Sequence, residues 1–300
     1  MFRKVSGAAA AALIGFAGVA LAGTALAQEA KPADDPANWR KVDPQNLLML
    51  TIKRQEVLIE LRPDFAPKHV EQIRKITRDT NYDALPFHRV IDDFMAQGGE
   101  VYAVYQVYPR YPQLKAEFTF QRDPAKQKVQ WVGKTAEGEG LGYLDGFMVQ
   151  GQSDATASIL ANATSKTWAL HCAGVTSMAR TDQPDSADTQ FFLMRQPRVG
   201  PDGLDAKYTV WGRAVTGLDV IRGIKAGPAE TDGRMPAGQA DKLTKAQIVA
   251  DLPEAKRPTV YVQRSEGPAF AAQLAAAKAS DPLSACGLPQ VSVVVERPGQ

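Results

Sequence analysis

The chain has 300 residues, with 35 Lys and Arg against 33 Asp and Glu, 20 Pro and two Cys. Both surplus cations, Arg3 and Lys4, lie in residues 1–27, which hold no acid, so the remainder carries 33 of each sign and is formally neutral. That balance argues against nucleic acid or an anionic membrane surface as a partner. The three histidines, His69, His88 and His171, have no metal-ligand spacing with Cys or acids, so no metal is expected.

Residues 1–27 combine the cations Arg3 and Lys4, a small-residue apolar stretch from Ala8 to Leu26, and Ala25-Leu26-Ala27. This reads as a secretory signal peptide cut before Gln28. No later stretch approaches the roughly 18 apolar residues of a membrane span, so the mature chain is expected not to insert. Residues 28–45, rich in Ala, Pro and Asp, read as a flexible leader.

A domain is expected over 46–250. Leu47–Lys53 and Glu56–Leu61 predict two strands of a hairpin with Arg54 and Gln55 at the turn. Pro67 opens a helix with Val70, Ile73 and Ile76 on one face. Phe87–Ile91 and Met95–Gly98 predict two more strands, bent at Asp92 and Asp93. Residues 101–170 break the pattern and read as an insertion; its tyrosine run at 102–111 alternates enough for an edge strand with exposed rings, to bind peptide or to cover the barrel mouth. Order returns at Trp168, with strands expected at Gly174–Met178, Thr189–Met194, Thr209–Ala214 and Thr244–Ala250, and a short helix at Asp219–Ile224. Many short strands with two helices make the class mainly β, an antiparallel barrel or sandwich. The extension 251–300 holds strand-like Thr259–Arg264 and Val291–Glu296 around helix-like Pro268–Ser280, to pack on the barrel edge or serve as a partner-binding arm.

Cys172 lies in a strand-like run and reads as a buried thiol; Cys286 lies in the tail. A bond between them is permitted in an exported protein and would staple the tail to the domain. The sequence leaves both readings open.

Chemistry concentrates in two runs, YDALPFHRVIDDFMAQGG (Tyr82–Gly99) and GVTSMARTDQPDSADTQFFLM (Gly174–Met194). The first plants Arg89 among Phe87, Val90, Ile91, Phe94 and Met95, where a guanidinium is costly unless it is paired or used. The second sets Gln190 beside Phe191 and Phe192. Together they resemble the cyclophilins, the cyclosporin-inhibited peptidyl-prolyl cis-trans isomerases. The likeness spans roughly Leu47–Ala250, including LDAKYTVWG (Leu204–Gly212) and VTGLDVIRGI (Val215–Ile224).

The resemblance implies an eight-stranded antiparallel barrel capped by two helices, here with an insertion and an extension. It implies catalysis by Arg89 and Gln97, and substrate contact through Phe94, Met95, Ala179, Arg180, Gln190, Phe192, Leu204 and Tyr208. It implies no cofactor, proline-containing polypeptides as partners, and a periplasmic isomerase acting on exported proteins. Arg180 replaces the family's asparagine, Gly203 its cyclosporin-contacting tryptophan and Tyr208 its histidine. The last two are similar to bacterial members and imply weak cyclosporin binding.

Alone, Arg89 reads as a buried cation paired with an acid such as Asp93; the neighbouring motif residues favour catalysis. His88 reads as a structural hydrogen-bonding residue. A serine hydrolase is set aside: there is no G-x-S-x-G, and Ser177 has no evident His/Asp constellation. The rival from another class is a non-catalytic proline-peptide-binding chaperone or scaffold, in which the insertion and tail do the binding.

Overall fold

The run Leu47–Ile52 is apolar at nearly every position because both of its faces are covered. A computed structural model describes residues 31–159 and 163–299; the signal-peptide reading of 1–27 lies outside them. Leu48, Leu50 and Ile52 face inward against Val57, Ile59 and Leu61 of the next strand. Leu47, Met49 and Leu58 face outward, under Val249, Val260 and Val262. Such two-sided burial erases the alternation a half-exposed strand would show.

The hairpin turns one residue earlier than expected. Ile52 pairs with Gln55, leaving Lys53 and Arg54 as the turn, with φ of 50° and 64°. This two-residue geometry normally calls for Asn or Gly. The Lys53 ammonium is held by Asp241 at 2.7 Å and by the Gly223 carbonyl at 2.9 Å.

Nine hydrogen-bonded segments form one antiparallel sheet, in the order Leu85–Pro86, Lys242–Ile248, Leu47–Ile52, Gln55–Leu61, Val210–Thr216, Val175–Met178, Phe191–Met194, Met95–Gly98 and Arg89–Ile91. The first and last are halves of one stretch, parted only by Phe87-His88. Counting that stretch once gives eight strands, and its two pairings curl the sheet into the expected cyclophilin-like barrel. The helix Pro67–Arg78 covers one end and buries Val70, Ile73 and Ile76. Each contributes on the order of 1.5–3 kcal/mol relative to exposure. Leu218–Arg222 adds Val220 and Ile221. Among the described residues four further short α-helices, Val101–Val104, Asp154–Ile159, Pro268–Gln273 and Pro282–Cys286, lie outside the barrel segments.

The insertion is a second sheet, in the order Phe120–Arg122, Ser165–Ala169, Phe147–Gly151, Gly140–Leu144 and Gln130–Lys134. Asp145-Gly146, at φ of 50° and 84°, makes the tight turn of its central hairpin. The tyrosine run is not an edge strand. After Val101–Val104 it is irregular, and its rings fold back: the Tyr105 hydroxyl donates to the Asp83 carbonyl at 2.5 Å and the Tyr111 hydroxyl to Asp79 at 2.7 Å. Tyr108 alone stands out, at 95% exposure.

The leader and the extension meet. Trp39–Lys41 and Val293–Glu296 flank Thr259–Gln263 in a three-stranded sheet, so this part of the leader is ordered by pairing. The helix predicted to reach Ser280 stops at Gln273. Its Phe270 packs edge-on against Tyr143 of the insertion, at 5.2 Å between ring centres. Cys172 and Cys286 are disulfide-bonded with Cα atoms 5.4 Å apart. The extension therefore packs on the insertion as well as on the barrel wall. Among the described residues no helix is long and apolar enough to cross a membrane.

Candidate active site

Register across the barrel wall aligns four residues in a row. Arg89 pairs with Gln97, Gln97 with Phe192, and Phe192 with Ser177. Directly opposed residues on neighbouring strands share a face, so Arg89, Gln97 and Phe192 project together. They line a cavity of about 260 Å³ with Phe94, Met95, Ala179, Arg180, Leu204 and Tyr208. Gln190 lines the neighbouring hollow of about 220 Å³, which shares Gln97, Ala179 and Arg180 with the first. Gln97 bridges the two: its amide donates to the Gln190 side-chain oxygen at 2.9 Å and its oxygen accepts from Arg89 Nη1 at 3.3 Å.

Arg89 is paired, but not with Asp93. Its Nη2 donates to the Asp232 carboxylate at 2.8 Å, and its Nε donates to that carboxylate and to the Asp232 carbonyl, each at 3.1 Å. Asp93 instead faces Arg198 at 3.3 Å, and Asp92 pairs with Arg195. Gly233 fixes the Asp232 loop beside the strand. Its carbonyl accepts from Val90 N at 2.8 Å, and a Cβ at its φ of 72° would fall 2.5 Å from the Val90 oxygen.

The apolar wall is held from behind. The Phe192 and Tyr208 rings meet edge to face at 5.7 Å. Arg180 stacks 4.4 Å above Tyr208 and 5.4 Å from Phe118, and donates to the Lys207, Thr181 and Asp182 carbonyls. Its guanidinium is thus committed to holding its own loop. His88 makes no hydrogen bond through Nδ1, which lies 3.9 Å from Glu100. Burial, aided by Arg234 and Arg89 and opposed by Glu100, holds its pKa below the ordinary histidine value. The structural hydrogen bond expected of this ring is made to the Gln190 side chain instead, which with Glu100 opposes the shift.

A model of the family "Cyclophilin type peptidyl-prolyl cis-trans isomerase/CLD" matches residues 47–248. The chain belongs to that family. A probable peptidyl-prolyl cis-trans isomerase of Brucella suis biovar 1 is 33% identical over 220 residues, 70% of this chain and 85% of that protein. A peptidyl-prolyl isomerase of Schizosaccharomyces pombe is 29% identical over 193 residues, 64% of this chain and 91% of that one. The crystal structure of cyclophilin AquaCyp293 from Hirschia baltica aligns with a TM-score of 0.78 at 38% identity, covering 89% of this chain and 97% of that one. This cyclophilin is accordingly a peptidyl-prolyl cis-trans isomerase.

Ser177 does have His and Asp partners in this cyclophilin. Its Oγ lies 2.9 Å from His171 Nε2, and His171 Nδ1 lies 3.0 Å from Asp205 Oδ1. The order is that of a hydrolytic triad, but Ser177 and His171 are wholly buried and Asp205 is 8% exposed. No substrate carbonyl can reach Ser177 Oγ. The chain props the wall instead: the His171 ring lies 6.2 Å behind Phe192, and Asp205 also accepts from Gly200 N at 2.8 Å, closing the loop that carries Leu204 and Tyr208.

Among the described residues no group of three or more His, Cys, Asp or Glu is placed to hold a metal. Asp232 is the site residue that the sequence did not show. Asp-Gly at 232–233 is a turn signal, but nothing in it says where that turn would lie.

Proposed function

We propose that this cyclophilin accelerates X-Pro isomerisation during the folding of exported proteins in the periplasm, with Arg89 as its catalytic cation. The row Arg89–Gln97–Phe192 at one cavity carries this reading. Amide resonance sets a barrier of about 18–20 kcal/mol to rotation of a peptide bond. As the bond twists, the proline nitrogen becomes pyramidal and gains a lone pair. Phe94, Met95, Phe192 and Leu204 would hold the ring in a dry pocket, and Gln97 would grip the flanking carbonyl. A guanidinium aimed at the nitrogen binds the twisted state better than either planar one, which is what lowers the barrier. Nothing in this sequence of events needs a nucleophile or a cofactor.

Ala179, Arg180, Gln190 and Tyr208 would contact the flanking chain. Arg180, already tied to three carbonyls, would offer its stacked face rather than the amide of the family's asparagine. With Gly203 and Tyr208 in place, cyclosporin should bind weakly. The character of residues 1–27 supports export.

Exchange spectroscopy on an Ala-Pro peptide with residues 28–300 tests the mechanism. Fast cis-trans exchange in the wild type, cut by about 10²–10³ in Arg89→Ala, is the expected result, the loss typical of one preorganised donor at a developing charge. Binding of the peptide without faster exchange would favour the scaffold reading. Fractionation of cells making the full chain tests the location: recovery in the cytoplasm at full length would end the export reading.

A further inference from the structure

A second cavity, of about 270 Å³, lies on the other side of the loop that shapes the proline pocket. Leu204 and Tyr208 line the first cavity, whereas Gly200, Pro201, Asp205, Ala206 and Lys207 line the second. Its remaining walls come from segments outside the barrel: Trp168, Gln150 and the turn Thr135–Glu139 of the insertion, and Pro282 of the extension. We propose that this groove binds a basic side chain of the client polypeptide, so that the enzyme favours proline segments flanked by Arg or Lys. The inference rests on the isomerase reading for its client and deepens it with a substrate class.

The chemistry of the walls selects such a group. Trp168, Pro201, Ala206 and Pro282 offer apolar surface to an aliphatic stem, as long basic side chains require. Glu137 and Glu139 stand on the rim at either side of the Gly138 turn, whose shape is fixed by Thr135 N donating to the Glu139 carbonyl at 2.9 Å. One Glu139 oxygen accepts from the Gln150 amide at 2.5 Å, which orients the carboxylate. Lys207 is the one basic residue on the lining, and its ammonium is turned onto the Pro201 and Gly203 carbonyls. Asp205 is saturated by His171 and Gly200 N. Glu137, held by its own amide and the Thr135 side chain, and Glu139, held by Gln150, therefore present two oriented carboxylates beside an apolar floor, each with lone pairs left for a cation.

The test uses residues 28–300 and peptides carrying one Ala-Pro bond, with Arg or Gln at about two to six residues from the proline, a reach of roughly 7–20 Å in extended chain. At the best spacing the Arg peptide should show a kcat/KM about two- to tenfold above its Gln twin at low salt, as partly exposed ion pairs give. The advantage should vanish in Glu137→Gln/Glu139→Gln and at high salt, with the Gln peptide unchanged. Independently, Ac-Gly-Arg-Gly-NH2 should shift the amides of Gly138, Gly200 and Ala206, and Ac-Gly-Gln-Gly-NH2 should not. Equal turnover of the twins, an advantage that survives the double variant, or identical shifts with both probes would overturn the groove. Failure to turn over any peptide while the Arg probe still shifts these amides would instead overturn the isomerase reading.

Discussion

Breaking the Cys172–Cys286 bond should cost this cyclophilin several kcal/mol of stability. The two residues are separated by 114 positions, so the bond closes more than a third of the chain into one loop. Chain-entropy reasoning then gives a loss for the unfolded state of about 16 cal/mol/K, or about 4.8 kcal/mol at 25 °C. The native state changes less, because the tail stays attached by other means: Thr259–Gln263 remains paired on both sides, and Phe270, Leu274 and Val291 remain in the core beside Tyr143 and Leu141. The cost should therefore appear as easier global unfolding rather than as a loosened tail. Cys172 is 6% exposed and Cys286 half-buried, so reductant should reach the bond through the Cys286 sulfur. Urea unfolding of residues 28–300, oxidised, reduced and as Cys172→Ser/Cys286→Ser, would measure it. The reduced and doubly substituted forms should agree with each other and lie about 3–5 kcal/mol below the oxidised one, with the proline-cavity residues unshifted in NMR spectra. A difference below about 1 kcal/mol would refute the entropic reasoning, and selective melting of the tail would refute the claim that packing holds it.

Asp232→Ala removes two contacts from the Arg89 guanidinium while keeping the backbone carbonyl, so kcat/KM should fall by about two- to fivefold, the value of a mostly exposed pair; Asp232→Asn should recover most of it, and steady-state kinetics would check both. Below its ordinary pKa of about 6.5, His88 is protonated more readily in the unfolded chain than in the fold, where burial disfavours the cation. Stability should therefore fall as pH drops through about 6.5 and level off below the depressed folded value; thermal melts of wild type and His88→Gln from pH 8 to 5 should show that part of the slope only in the wild type. Phe270→Ala opens a cavity against Tyr143 and should cost about 3–5 kcal/mol, read by urea unfolding, with kcat on a neutral Ala-Pro peptide unchanged.

Local chemistry made the barrel and most of the cavity legible. Arg89 stands out because a cation in an apolar strand needs a purpose, and the two-residue period of a strand sets Met95 on one face with Gln97 and Gln190 with Phe192. What escaped depends on distant pairing. Asp232 is 143 residues from its partner, in a polar loop with no periodicity to mark it. His171 and Ser177 are six apart, and only the turn through Gly174 brings their side chains together. The insertion hid its sheet because Gly140–Leu144 carries two glycines, which weaken strand propensity; Trp131 lies across Gly140 so closely that a Cβ there would meet the indole at 2.5 Å. The Asp145-Gly146 hairpin step was the one signal that could have exposed it. The leader looked loose because its order comes from Thr259–Gln263, more than two hundred residues away.

The closure of the barrel through Leu85–Ile91 bears on the company an isomerase keeps. Unfolded chains carry unpaired backbone, and an open sheet margin would recruit them by strand addition. Here both would-be margins are spent on a single segment of the protein itself, Leu85 against Leu243 and Arg89 against Gln97. The wall that presents the proline cavity thus offers a bound peptide side chains but no ladder to join, and on the proposed function a chain would be turned over and let go without being templated into an aggregate.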